Sequence, residues 1–246
     1  MGRKFDSVAR IQSYVVFTSE DYGDAFAHYL GCQHVQVDRP RQTVPISGTA
    51  VRSNPYDNWD FIEPPVRAYY AKRVCLVGAE STGKTTLACQ LAEHFHTILV
   101  EEYGREYSER KVAADGQYNW VTEEFEHIAK TQCERENEAA GRSNRILICD
   151  TDAFATSIWH RRYFCEASHA VDAIAAQHRK PDLYLLTDIN TPFVQDGTRD
   201  GEHIREWMHQ MFVTLLTETG RSFKLLDGNF DDRLQKAIHH IEKLIK

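Results

Sequence analysis

Residues 76–87, LVGAESTGKTTL, decide how the rest of the chain is read. Gly78 to Thr85 match G-x-x-x-x-G-K-[ST] at every position. Apolar residues precede the match, and Leu87, Leu91 and Phe95 follow at helical spacing. That context, strand then glycine turn then helix, is the one in which such a loop wraps phosphate. The glycines let the backbone curl, and its N–H groups and the helix dipole favour an anion. Gly78, Glu80, Ser81, Thr82, Gly83, Lys84 and Thr85 are therefore expected to hold ATP. Lys84 would reach the β- and γ-phosphates, and Thr85 would ligate Mg²⁺.

Working outward, the chain from residue 73 alternates short apolar runs with longer amphipathic ones. Strands are expected at 73–77, 97–100, 145–150, 182–187 and 222–226. Helices are expected at 83–95, 122–140 and 200–219, with a last one carrying Leu234, Ile238 and Ile241. The nearly continuous apolar character of 145–150 and 182–187 suits strands buried on both faces. The pattern predicts an α/β fold, a parallel five-stranded sheet with helices on both faces. Residues 1–72 predict two strands, at 14–17 and 34–37, around a helix at 21–30. A Pro- and Asn-rich stretch and a short helix near 65–71 follow. This is too little for an α/β domain of its own. The expected organisation is thus a half-domain at 1–72 and a phosphate-loop domain at 73–246.

Composition excludes several classes. No run of 18 apolar residues exists to span a membrane. The first ten residues lack the apolar core of a signal peptide, and Asp6 stands where a myristoylation motif wants Ser or Thr. Six scattered cysteines without a CxxC pair point to free thiols in a cytoplasmic protein. Residues 1–72 are neutral, so the net charge of −7 belongs to the remainder. An acidic domain is a poor partner for nucleic acid.

The acceptor of the phosphate should lie at the carboxyl ends of the other strands. Asp150 closes the third strand and is placed as a Mg²⁺ carboxylate beside Thr85. Asp152, two residues on, is placed to face acceptor hydroxyls. Glu102, with Tyr103 and Arg105, offers a base, an aromatic ring and a cation. Arg199, Arg161 and Arg162 are candidates for a lid. No NKxD guanine signature is present, and the chain is small for an AAA-type motor ATPase. A small-molecule kinase fits better. The alternatives are another nucleoside or metabolite kinase, and an ATP-binding regulatory module acting through protein partners.

GAESTGKTTL, EEYGREY, ICDTD and FVQDGTR follow one another here in the order and spacing of the ribosylnicotinamide kinase domain of NadR-type bifunctional proteins, which the chain resembles over nearly its whole length. The resemblance implies a P-loop kinase fold and phosphorylation of nicotinamide riboside by ATP. It adds Thr86 to the residues holding ATP, and it implies a substrate site of Glu102, Tyr103, Arg105, Asp152 and Asp196. Glu102 is expected as the base with Asp152 as the alternative, and Lys84 and Arg199 complete the catalytic set. Asp196, Gly197 and Arg199 would belong to a lid, and Gly228 and Asn229 to the adenine-side loop. The preceding VPISGTAVRSNP resembles the C-terminal part of a nicotinamide mononucleotide adenylyltransferase domain, with Ser47, Thr49 and Arg52 expected to touch ATP. The HxGH-like motif such a domain needs does not occur. The half-domain is therefore expected to be a remnant, or the chain a truncated form, without adenylyltransferase activity. The helix-turn-helix that precedes some relatives is likewise expected to be absent. The exposed edge of the half-sheet leaves self-association or a protein contact open.

Overall fold

The computed structural model describes residues 14–115, 119–194 and 202–246, without the side chains of 114 and 115. The chain divides into two compact units, 1–53 and 54–246. That division falls earlier than the expected boundary after residue 72.

The first unit contains β1 (Val15–Thr18), α1 (Gly23–Leu30), β2 (Gln33–Gln36) and α2 (Gly48–Ser53). The strands pair in parallel, Val15 opposite Gln33 and Thr18 opposite Gln36. Gly31, left-handed at φ 68°, closes α1. His34 Nε2 lies 2.9 Å from Thr18 Oγ1 and its Nδ1 lies 2.7 Å from Asp24 Oδ1, tying helix to strands. Helix α2 was not expected, because its six residues sit in a stretch dominated by turn formers.

The second unit starts with a 3₁₀ turn at Trp59–Phe61 and α3 (Pro64–Tyr70). Then follow β3 (Lys72–Val77), α4 (Lys84–His94), β4 (Leu99–Val100), α5 (Tyr103–Asp115), α6 (Thr122–Ala140) and β5 (Ile146–Asp150). The chain continues through α7 (Ala153–Phe164), α8 (His169–Gln177), β6 (Leu183–Thr187), α9 (Arg205–Glu218), β7 (Phe223–Leu226) and α10 (Phe230–Glu242). The five strands form one parallel sheet in the order β4-β5-β3-β6-β7. Residues of one strand alternate between its faces. Val74, Leu76, Ile146, Ile148, Leu183 and Leu185 therefore pack with α4 and α10, while Cys75, Val77, Leu147, Cys149, Tyr184 and Leu186 pack with α6, α7 and α9. This is the five-stranded sheet the sequence predicts. No helix among the described residues is long and apolar enough to cross a membrane.

Besides α2, three helices of the second unit are not legible in the sequence. In α7, Ala153 to Ile158 and His160 are all buried, so no polar face contrasts with an apolar one. Helix α5 fails for the opposite reason, being polar nearly all round. Helix α8 is short and rich in alanine.

Candidate nucleotide and acceptor site

Strand β3 delivers the phosphate loop to the middle of the sheet's carboxyl edge, and the loop is held from inside. Gly78 has φ 146°, and a β-carbon there would come within 2.4 Å of Thr187 Oγ1 at the end of β6. Only glycine fits. Thr82 Oγ1 donates to the Ala79 carbonyl at 2.9 Å and lies 2.7 Å from Thr187 Oγ1. Gly83, at φ 82°, turns the chain into α4. Lys84 is 9% exposed and donates from Nζ to the Ala79 carbonyl at 2.8 Å. Burial lowers its pKa, with Glu102 and Asp150 opposing. Ser81, at φ 56°, exchanges hydrogen bonds with the backbone of Val194, 2.7 Å and 3.3 Å. Thr86 lies exposed on the first turn of α4.

Thr85 Oγ1 donates to Asp150 Oδ2 at 2.6 Å. Asp150 is 2% exposed, and its Oδ1 is buried without a hydrogen-bond partner. An orphaned buried carboxylate oxygen beside a loop hydroxyl fits a divalent cation, which the pair would hold.

Beyond Lys84 opens a cleft of about 970 Å³, part of it open solvent. Its polar wall includes Glu80, Glu102, Arg105, Glu109 and Gln132. Its apolar wall is Trp120, Phe125 and Ile128 together with Trp159 and Tyr163 of α7. Glu102 ends the segment after β4. Loss of hydration pushes its pKa up to about 7, and the Asp150 charge adds to the rise against Lys84 and Arg105. A carboxyl near neutrality beside a buried lysine is suited to take a proton from an alcohol at physiological pH.

The other expected residues fall in different places. Asp152 is 4% exposed, and its carboxylate is engaged twice. Oδ1 caps α7 by accepting from Ala155 N–H at 2.9 Å, and Oδ2 accepts from the Tyr184 hydroxyl at 2.6 Å. It does not line the cleft. Tyr103 is also turned inward, its hydroxyl 3.0 Å from His127 Nε2 and its ring under the Arg135 guanidinium. Arg161 forms a two-pronged pair with Asp172, tying α7 to α8 rather than closing over phosphate. Arg162 meets Glu80 of the phosphate loop at 2.8 Å and lies over the rings of Trp159 and Tyr163. Asn229 caps α10 by accepting from Asp232 N–H at 2.9 Å, and Gly228 precedes it at φ 94°. Asp196, Gly197 and Arg199 lie outside the described residues. In the first unit Ser47 Oγ accepts from Ala50 N–H at 3.0 Å, and Arg52 Nη2 donates to Thr49 Oγ1 at 3.3 Å.

Trp120, Trp159 and Tyr163 were missed as site residues. Tryptophan, with four in the chain, was the available signal, but the segments carrying Trp120 and Trp159 had no assigned element. Arg233, whose guanidinium contacts the phosphate loop, was missed because a lone arginine on an amphipathic helix looks like surface.

Sheet order, loop and cleft together define a P-loop nucleotide-binding protein with the architecture of the P-loop kinases. The chain belongs to the AAA domain family, which matches residues 73–233. The sequence by itself does not predict that family, because the chain is small for an AAA-type motor ATPase. The trifunctional NAD biosynthesis/regulator protein NadR of Escherichia coli (strain K12) is 30% identical over 251 residues, covering 99% of this chain and 60% of that protein. The chain thus spans about three fifths of that relative's length. The thymidylate kinase of Ruegeria pomeroyi is 27% identical over 180 residues, 63% of this chain and 85% of that enzyme. A solved NadR protein in complex with NR superposes with a TM-score of 0.74 at 24% identity, covering 94% of this chain and 68% of that one. That likeness establishes the fold.

Proposed function

We propose that the second unit transfers the γ-phosphoryl of ATP to a hydroxyl of nicotinamide riboside, giving nicotinamide mononucleotide. The observation that carries this reading is Glu102, raised to about 7 at the junction of an aromatic-walled cleft and the lysine of a phosphate loop. The likeness to a NadR protein solved with NR supports the acceptor, and the likeness to thymidylate kinase supports phosphoryl transfer to a nucleoside-type substrate. The wall chemistry agrees. A pyridinium ring is flat and cationic, and indole and phenol faces with nearby carboxylates attract such a ring more than a neutral base.

In this reading Glu102 accepts the proton of the attacking hydroxyl as the oxygen–phosphorus bond forms. Lys84 leaves the Ala79 carbonyl to neutralise the moving phosphoryl. Thr85 and Asp150 would hold Mg²⁺, which when bound offsets charge on the phosphate oxygens. The first unit, with its parallel β1-α1-β2 and the ISGTAVR stretch, we assign to the tail of a nucleotidylyltransferase domain, with the kinase following it.

The test is ADP release with ATP, Mg²⁺ and a panel of nucleosides. Nicotinamide riboside is expected to give the highest kcat/KM. A neutral nucleoside preferred over it would move the chain to the wider nucleoside kinases. ATP binding without turnover on any acceptor would favour the regulatory-module reading.

A further inference from the structure

Arg233, on the first turn of α10, is 2% exposed. Its Nε donates to the Gly228 carbonyl at 3.1 Å, its Nη1 to the Thr82 carbonyl at 3.0 Å and its Nη2 to the Asp188 carbonyl at 3.2 Å. Nη2 also meets Asn190 Oδ1. These acceptors belong to three separate segments, the phosphate loop after β3 and the turns that follow β6 and β7. A planar fork with fixed donor directions suits that task, whereas an ammonium on a flexible stem does not. The contact at Thr82 also orients the loop. The peptide is planar and trans, so a carbonyl aimed at Arg233 aims the Gly83 N–H the opposite way, away from Arg233.

Sheet order says which half of the nucleotide this serves. Glu102 and Thr151 of the acceptor cleft come from the ends of β4 and β5, on one side of β3. The γ-phosphate must face that side. The remainder of the donor then extends over β6 and β7, where the segments bound by Arg233 lie. We propose that Arg233 is a positioning residue that clips the phosphate loop to the β6 and β7 turns, so that phosphate cradle and donor-nucleoside subsite are held as one frame. This rests on the donor being a nucleoside triphosphate bound at the loop.

The experiment compares ATP with inorganic tripolyphosphate by calorimetry in wild type, Arg233→Lys, Arg233→Met and Asn190→Ala. Tripolyphosphate fills only the cradle, so the ratio of the two affinities reports the frame. Wild type is expected to favour ATP. That preference should fall by roughly tenfold or more in both Arg233 variants, a scale within reach of small misplacements. Asn190 is exposed, so Asn190→Ala should fold normally and lose a smaller part of the preference. KM for ATP should rise while KM for the acceptor stays unchanged. An unchanged ratio in folded Arg233→Lys and Asn190→Ala would overturn the clip. So would equal losses for ATP and tripolyphosphate, which mark a general loosening. Failure of wild type to bind ATP would overturn the donor-site reading, and the clip with it.

Discussion

At the scale of single residues, burial sets what each ionisable group can do. Lys84 is dehydrated and close to two carboxylates, so its charge acts in a medium where it is poorly screened. Lys84→Ala should lower kcat by about 10²-fold or more, read as ADP release at saturating ATP. Turnover near wild type would remove the loop from catalysis.

Glu102 must be ionised to act as a base, and its pKa of about 7 puts that change within an accessible range. Wild-type kcat/KM should climb as pH rises through about 7 and level off above it. Glu102→Gln should cost about 10²–10⁴-fold and flatten that limb. Stability should move the other way. A carboxyl whose folded pKa is raised is favoured folded while protonated, and that advantage is lost as pH rises from about 4.5 through about 7. The Tm of Glu102→Gln relative to wild type should therefore be higher at pH 8 than at pH 5. A pH-independent difference would mean that Glu102 is as well hydrated in the folded chain as in the unfolded one.

At the scale of elements, Asp152 shows why a carboxylate near the site is not thereby a catalyst. It caps α7 and takes the Tyr184 hydroxyl, which in turn accepts from Arg221 Nη1 at 2.7 Å. In Asp152→Asn one oxygen becomes a donor facing a hydroxyl that already receives the arginine. The expected cost is about 1–3 kcal/mol of stability, measured by urea unfolding, with kcat reduced much less than by Glu102→Gln. A catalytic loss exceeding that of Glu102→Gln, at unchanged stability, would exchange the two roles. The aromatic wall belongs to this scale too, because α7 presents Trp159 and Tyr163 from one face. Trp159→Ala should raise the acceptor KM while leaving the ATP KM near wild type, checked by initial rates with each substrate varied.

For the whole molecule, two units with unequal contents predict one activity. Adenylyl transfer requires charge stabilisation around the α-phosphoryl from both ends of a site. These 246 residues hold Ser47, Thr49 and Arg52 but no HxGH-like pair. Incubation with nicotinamide mononucleotide, ATP and Mg²⁺ is therefore expected to yield no NAD by chromatography, while riboside phosphorylation proceeds. Sustained NAD formation would show that other residues replace the histidines.

What the sequence determined by itself is local or strongly periodic. The phosphate loop is a contiguous pattern whose residues are neighbours in space because they are neighbours in the chain. The five strands stood out because each is a short apolar run between polar punctuation, and Thr85 and Asp150 could be paired because one closes the loop pattern that follows β3 and the other closes β5. Tertiary structure alone decided the rest. It assembled the cleft wall from α6, α7 and the segment before α6, and turned Asp152 and Tyr103 inward. It also gathered carbonyls from three loops around Arg233. Those outcomes depend on which strand lies beside which and on which polar groups must be satisfied once water is excluded. Neither is written in any one window of residues.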